Sequence, residues 1–264
     1  MKAMTKNKNA FQVILFVLLT SVFFVSGCVT TDGDGAKREE EEIPVDERAD
    51  IYAQLATGYM KKEQYSVAQQ ELEKALSVAP NHSKSNYVMG LLMIEIEEYD
   101  KVEAFMVRAV QSDPKNSAAA HDLGTFLCQT GKEERSVIYF DRAVANPFFN
   151  RPELSLMRAG ECLNKIGKIE RAETYLKKSL EFNSNLQPSL LNLAKIKYEQ
   201  ASYLSARAYI ERYFAITKPQ PAALYLGYQI ESKLNAKDVA EKYRTAILEE
   251  FPSSNQARTL RNKS

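Results

Sequence analysis

The sequence predicts an all-α protein made of six helical repeats, and two observations support this prediction. The first is a set of small and apolar landmarks in residues 49–82 that returns about every 34 residues along the chain. The second is the spacing of three or four residues between landmarks, which places them on one face of each of two amphipathic helices. In the first repeat the landmarks are Tyr52, Leu55, Ala56, Tyr59, Ala68, Leu72, Ala75 and Pro80.

The order of these landmarks resembles the tetratricopeptide pattern of an aromatic residue, Leu-Gly, Tyr, Ala, Phe and Ala, closed by Pro. The resemblance implies two antiparallel helices per repeat, about twelve in all, wound into a right-handed superhelical solenoid with a concave inner groove. Ala56 and Ala68 are expected where the two helices cross closely, and Ala75 where the second helix meets the next repeat. Large side chains at these places would push the stack apart.

Residues 1–27 are expected to be a lipoprotein signal peptide. Three lysines precede an apolar run over residues 11–25, which has the length of a signal peptide rather than of a membrane span. The segment Val25-Ser26-Gly27-Cys28 resembles a bacterial lipobox, which implies cleavage before Cys28 and attachment of lipid to its sulfur. The alternative is an uncleaved anchor helix with an incidental cysteine. By resemblance to other lipoproteins, Val29 favours sorting to the outer membrane.

Residues 28–48 are expected to be a lipidated, disordered tether, because they contain glycines and a run of glutamates but little apolar surface to bury. The repeat domain is predicted over residues 49–253. Its repeats are expected at 49–82, 83–116, 117–150, 153–186, 187–220 and 221–253. Residues 254–264 are polar and are expected to form a frayed C-terminal tail.

Each later repeat keeps enough landmarks to be located. The Leu-Gly place is occupied in turn by Met89-Gly90, Leu123-Gly124, Ala159-Gly160, Leu193-Ala194 and Leu226-Gly227. Arg151 and Pro152 are two extra residues between the third and fourth repeats, and insertions in repeat arrays fall in turns. The neighbouring Phe148 and Phe149 are expected to pack between repeats, the alternative being an exposed docking patch.

Three segments in the middle of the chain resemble the signature of the PilF/PilW family, which are lipidated tetratricopeptide proteins of type IV pilus biogenesis. The segments are His121-Asp122-Leu123-Gly124-Thr125-Phe126-Leu127-Cys128, Asn146-Pro147-Phe148-Phe149-Asn150-Arg151-Pro152 and Ala159-Gly160-Glu161-Cys162. The resemblance extends from the lipobox to the sixth repeat. One departure is His121-Asp122-Leu123-Gly124, where the family usually has Asn-Asn-Tyr-Gly.

The resemblance implies a non-catalytic pilotin, anchored by lipid to the outer membrane with its repeat domain in the periplasm. Such a protein binds secretin subunits of the type IV pilus and promotes their localisation and multimerisation in the outer membrane. The alternative is a general envelope adaptor lipoprotein that assists outer-membrane protein assembly or regulates a peptidoglycan enzyme.

Charge and motif content argue against other functions. The formal net charge is +1, which does not suit a nucleic-acid binder driven by phosphate contacts. The two histidines, His82 and His121, are not accompanied by a catalytic, phosphate-loop or metal-ligand spacing. We therefore expect no enzymatic activity, no cofactor and no small-molecule substrate.

The partner is expected to bind in the concave groove, which is lined by fixed positions of the first helix of each repeat. These positions are mostly apolar or aromatic, which suits an extended or helical peptide. The alternative is that several of them pack against neighbouring helices. The positions are occupied by Met60, Tyr87, Leu91, Ile94, His121, Met157, Asn164, Leu191, Lys195, Tyr198, Leu224 and Tyr228.

Two cysteines, Cys128 and Cys162, remain if Cys28 carries lipid. They lie near the ends of the first helices of repeats three and four, and adjacent repeats stack their first helices side by side. In an oxidising periplasm these cysteines are candidates for a disulfide. The alternative is two separate buried thiols that act as small apolar residues.

Overall fold

The computed structural model describes residues 43–262, and these residues form thirteen α-helices and no strand. Twelve of the helices form six consecutive pairs, which confirms the predicted all-α tetratricopeptide solenoid. The pairs are α1 (Val45–Met60) with α2 (Tyr65–Val78), α3 (Ser83–Glu95) with α4 (Tyr99–Ser112), α5 (Ser117–Gln129) with α6 (Glu133–Ala145), α7 (Pro152–Lys165) with α8 (Ile169–Phe182), α9 (Gln187–Glu199) with α10 (Tyr203–Phe214), and α11 (Pro221–Lys233) with α12 (Lys237–Glu250). A short helix, α13 (Asn255–Arg261), follows the last pair.

The two helices of each repeat meet at a small residue near the middle of the first helix. A Cβ atom added to Gly90 would lie 2.7 Å from Met106, and one added to Gly160 would lie 2.6 Å from Leu176. The same relation holds between Gly124 and Phe140, and between Gly227 and Tyr243, always sixteen residues later in the chain. Alanine takes this place in the first and fifth repeats. The missing side chain lets a large one on the second helix reach the core.

The alanines expected at close contacts are fully buried. Ala56 and Ala68 share one core cluster with Leu72, and Ala75 packs beside Ala49. Burial of such small residues shows that the helix backbones approach closely, as the sequence predicted. Larger apolar residues, such as Leu92 and Ile196, fill the space between one repeat and the next.

Each turn between paired helices contains one residue in the left-handed region of backbone space. These residues recur every 34 positions, except for an interval of 36 across the Arg151-Pro152 insertion, and they are Glu63, Glu97, Gly131, Gly167, Ala201 and Asn235. Only two of the six turns use glycine, for which this conformation carries no steric penalty. In the other four turns a residue with a side chain adopts this conformation, which costs roughly 1–2 kcal/mol of conformational free energy each.

The ends of the array differ from the sequence expectation. Helix α1 begins at Val45, inside the stretch expected to be a disordered tether. At the other end, the tail expected to fray contains α13, which is capped by the Ser254 side chain and buries Ala257 and Leu260. This helix covers apolar surface that the last repeat would otherwise expose. The expected signal peptide, Cys28 and the first part of the tether lie outside the described residues.

The close approach at Gly160 predicts a large cost for any side chain there. Gly160→Val should lower the free energy of unfolding by about 1–3 kcal/mol, because Leu176 and the Ala172 carbonyl leave no room for it. Gly58→Ala is the matched control, since no atom lies within 4 Å of its added Cβ in an exposed part of α1. That change should instead raise the free energy by about 0.5–1 kcal/mol. Urea denaturation of both variants checks the prediction, and equal effects would contradict it.

Candidate functional site

A groove lies between helices α1 and α3 in the first two repeats. Met60, Tyr87 and Leu91 supply its apolar surface, and its volume is about 550 Å³. The rim carries two lysines and two glutamates, so the groove has little net charge. Its full lining is Thr57, Met60, Lys61, Glu63, Tyr65, Lys84, Tyr87, Val88, Leu91 and Glu95. This arrangement can receive apolar side chains of a peptide segment.

The Tyr87 side chain is held in place by the next repeat. Its hydroxyl donates a hydrogen bond to the Asp122 carboxylate, with 2.6 Å between the oxygens. Burial, together with the Asp122 charge, raises the pKa of the Tyr87 hydroxyl well above its ordinary value. The phenol therefore stays protonated at any physiological pH, and the ring presents a fixed wall to the groove.

His121 has a structural role between repeats three and four. Its Nδ1 atom lies 2.8 Å from the hydroxyl of the buried Ser155, and its ring contacts Phe140 and Phe149 at centroid distances of 5.8 and 6.3 Å. Burial lowers the pKa of His121, which favours the neutral imidazole. Across residues 43–262, no group of three His, Cys, Asp or Glu side chains is arranged to hold a metal ion.

The structure places the predicted groove residues unequally. Met157 and Leu224 are only 6% and 3% exposed, so the prediction that they line the groove was wrong. Met157 packs with Leu176 in the core of the fourth repeat, whereas Leu224 lies with Ile247 beneath the C-terminal helix. Met60, Tyr87 and Leu91 come together in one groove. The remaining residues are half-buried or exposed elsewhere along the first helices, and they are Ile94, His121, Asn164, Leu191, Lys195, Tyr198 and Tyr228.

A second apolar surface lies on α1 and was not foreseen. Ile51 and Leu55 are 43% and 45% exposed, and they line a shallow depression with Gly58 and Tyr59. Leu55 is one of the packing landmarks of the first repeat. It is nevertheless exposed because, in the part of the chain that the structure describes, no repeat precedes α1 to cover it. The sequence could have revealed this surface, because the first helix of a repeat array has one face that no preceding repeat covers.

The two phenylalanines of the connection after α6 have different surroundings. Phe149 is half-buried against the core and near His121, as expected. Phe148 is 86% exposed, so the expectation that it packs between repeats was wrong. The reason is the turn made by Asn146, whose Oδ1 accepts a hydrogen bond from the Phe148 N–H at 3.0 Å. This turn directs the Phe149 ring toward the core and leaves the Phe148 ring in solvent.

Cys128 and Cys162 form a disulfide between α5 and α7 in the structure, with their Cα atoms 5.8 Å apart. The bond joins the first helices of the third and fourth repeats across the Arg151-Pro152 insertion. Cys162 is almost fully buried beside Phe140 and Ala159. The bridge therefore fixes the relative position of two repeats whose connection is longer than the others.

Comparisons with known proteins support the pilus-related resemblance. The tetratricopeptide repeat family matches residues 49–82 and 155–186. The type IV pilus assembly protein PilF of Pseudomonas aeruginosa is 24% identical over 87% of this chain and 90% of its own length.

Solved structures give the same result. The structure of PilW, described as a widely conserved type IV pilus biogenesis factor, is 28% identical, covers 80% of this chain and 97% of its own, and has a TM-score of 0.64. A Pseudomonas aeruginosa PilF structure is 22% identical, covers 83% of this chain and 99% of its own, and has a TM-score of 0.68. The chain is thus a tetratricopeptide-repeat protein that is PilF/PilW-like along most of its length.

The disulfide makes a prediction that is independent of the partner. When the chain is expressed with export to the periplasm of a host bacterium, the denatured, unreduced protein should show no thiol at Cys128 or Cys162, and a mass corresponding to the monomer. Cys162→Ser should lower the free energy of unfolding by about 3–4 kcal/mol, the chain-entropy value for a closed loop of this size. Mass spectrometry after alkylation without and with reductant checks the state of both cysteines. Alkylation of both without reductant would refute the bridge.

Proposed function

We propose that this protein is a non-catalytic outer-membrane lipoprotein required for type IV pilus biogenesis. In this proposal it binds secretin subunits and promotes their localisation and multimerisation in the outer membrane. The observation that carries the proposal is the relation to PilF over 87% of this chain, which spans nearly the whole of both proteins. A shared repeat fold alone would not support it, because tetratricopeptide arrays serve many different partners.

The groove between α1 and α3 is the proposed binding site for a secretin segment. Its surface is apolar at Met60 and Leu91, and its rim charges nearly balance. Lys84 on the rim is already paired with Asp50, with 2.9 Å between Nζ and Oδ1. The site therefore favours a segment with apolar anchors over a strongly acidic or basic one. An amphipathic helix or an extended strand presents such anchors at regular spacing.

The fixed Tyr87 ring contributes to the proposed affinity. A side chain that is free in the unbound protein loses rotamer entropy on binding, and this loss opposes association. Tyr87 avoids much of this loss because Asp122 already holds its hydroxyl. Asp122 belongs to the following repeat, so the groove depends on the stacking of the second and third repeats.

The lipid at Cys28 is proposed to supply the anchor. Cys28 lies outside the described residues, and the support for lipidation is the lipobox-like segment Val25-Ser26-Gly27-Cys28. A lipoprotein carries two or three acyl chains, and each buried methylene contributes about 0.8 kcal/mol, so the attachment is stable. Within residues 43–262, no helix has the length and hydrophobicity to cross a bilayer. A secretin subunit held in the groove would then share the location of the lipid.

Charged substitutions in the groove test the binding site. Leu91→Glu should weaken secretin binding by more than about 1 kcal/mol, because an apolar anchor point becomes a carboxylate in the contact. Tyr87→Glu should do the same and also lose the bond to Asp122. Leu204→Glu is the matched control, since Leu204 is 70% exposed on α10 and remote from the groove. Titration of purified secretin subunits, with circular dichroism to monitor the fold, gives the result. Unchanged binding by Leu91→Glu would move the site elsewhere.

Removal of the proposed lipid site tests the anchor. Cys28→Ala should abolish incorporation of labelled palmitate and remove the protein from the outer-membrane fraction. Secretin multimers should then be mislocalised more than lost, because the repeat domain still binds them. Cys128→Ser is the control and should keep the label, since it has no lipobox context. Palmitate labelling of Cys28→Ala equal to that of the unaltered protein would overturn the assignment.

A further inference from the structure

One edge of the array contains the start of α1 and the loops that connect each repeat to the next; we call it the connector edge. Val45 and Asp46 line one depression together with residues 79–84 and with Ser112, Asp113 and Asn116. The Asn116 side chain donates to the Ser83 hydroxyl at 2.9 Å. These contacts place the start of α1 and the first two connections side by side.

Hydrogen bonds extend the connector edge to the third connection, residues 146–151. The Asn146 side chain donates to the Lys115 carbonyl at 3.0 Å and to the Ser117 hydroxyl at 3.1 Å. It thus repeats the interaction that Asn116 makes one repeat earlier. The start of α1 and the first three connections therefore form one continuous surface.

Phe148 projects from this edge on a braced loop. Its ring is 86% exposed, the largest exposed fraction of any large apolar residue in the described chain. The loop is held by hydrogen bonds from the Phe148 and Phe149 amides to Asn146, and by the packing of Phe149 against the core. Because the turn already fixes the ring, burying it against another surface would cost little conformational entropy.

The connector edge also carries the entry of the chain. Ile43 and Val45, at the first described residues, are 47% and 45% exposed at this edge. Their neighbours Asp46 and Glu47 are acidic, whereas Lys115 and Arg151 flank the later connections and are exposed. Four more glutamates, Glu39–Glu42, directly precede Ile43 in the sequence. The entry of the chain is therefore acidic, and any attraction to a surface must come from the apolar side chains.

We propose that the connector edge rests on the membrane surface, with the Phe148 ring inserted among the lipid headgroups and upper acyl chains. This inference rests on the proposed lipid anchor at Cys28. The stretch from Cys28 to Ile43 spans at most about 50 Å even when fully extended, so the anchor limits how far the start of α1 can lie from the bilayer. Phenylalanine is among the apolar residues that interfacial segments bury at the boundary between headgroups and acyl chains, and this contribution does not require net positive charge.

This orientation has a consequence for the groove. The first helices run away from the connector edge, since their N-termini lie on it. The groove begins at Lys84, which also lines the connector edge, and extends past Tyr87 and Leu91 to Met60 in the last turn of α1. A protein resting on its connector edge would hold the Met60 end of this groove away from the bilayer.

The chain contains no tryptophan, so a single introduced indole can report on each position. The lipidated full-length variant Phe148→Trp would be reconstituted in vesicles in which phosphatidylethanolamine predominates over phosphatidylglycerol. We expect its emission to shift to shorter wavelength and to be quenched by lipids brominated along the acyl chain. The quenching should persist at high salt, because it does not depend on charge. Leu204→Trp, on α10, is the matched control and should show neither effect.

Flotation of the same samples distinguishes a failure of the edge contact from a failure of the lipid anchor. If the Phe148→Trp protein floats with the vesicles but its emission is not quenched, the anchor stands and the edge contact is refuted. If the protein neither floats nor is quenched, both are refuted. Equal quenching of the Phe148→Trp and Leu204→Trp variants would refute the orientation. A shift that needs added secretin subunits would assign Phe148 to a protein contact and would also overturn the proposal.

Discussion

Two helices can approach each other closely only where one of them lacks a large side chain, and this array depends on that approach. In four repeats a glycine of the first helix faces a bulky residue of the second, as at Gly124 and Phe140. The bulky residue then fills the space between the backbones and also contacts neighbouring repeats. Because the same close contact recurs at the same place in these four pairs, successive pairs can stack in a similar way.

A second set of interactions joins each repeat to the one before it. Polar side chains on one repeat reach an acceptor about one period away, as Lys84 reaches Asp50 and Tyr175 reaches Asp141. Exposed pairs of this kind add little free energy individually. They help to align neighbouring repeats, because each pair forms only when the two helices have the correct offset along their axes. Tyr87 and Asp122 use the same device at the groove, so the shape of the proposed binding site follows from the stacking.

The sequence was sufficient for the period and the paired helices, because these follow from periodic spacing alone. It made Cys128 and Cys162 candidates for a bridge but left separate thiols as the alternative, because the Arg151-Pro152 insertion shifts the register between them. It was insufficient where exposure depends on what lies across from a residue. Met157 and Leu224 occupy nominal groove positions but face neighbours that bury them, and Leu55 occupies a packing position with nothing to cover it in the described chain. The C-terminal helix was missed because seven residues with two buried apolar side chains give almost no periodic signal.

The left-handed turn residues have a consequence for how the array opens. Glycine occupies this place only in the third and fourth repeats, which are also the two joined by the disulfide. The repeats on either side hold glutamate, alanine or asparagine in the strained conformation. In a linear array, stability is a sum of local and nearest-neighbour contributions, so opening starts at the weaker ends and moves inward. The central repeats should exchange their amide hydrogens last. The groove lies in the first two repeats, and an occupant there would slow the fraying of the end that opens most readily.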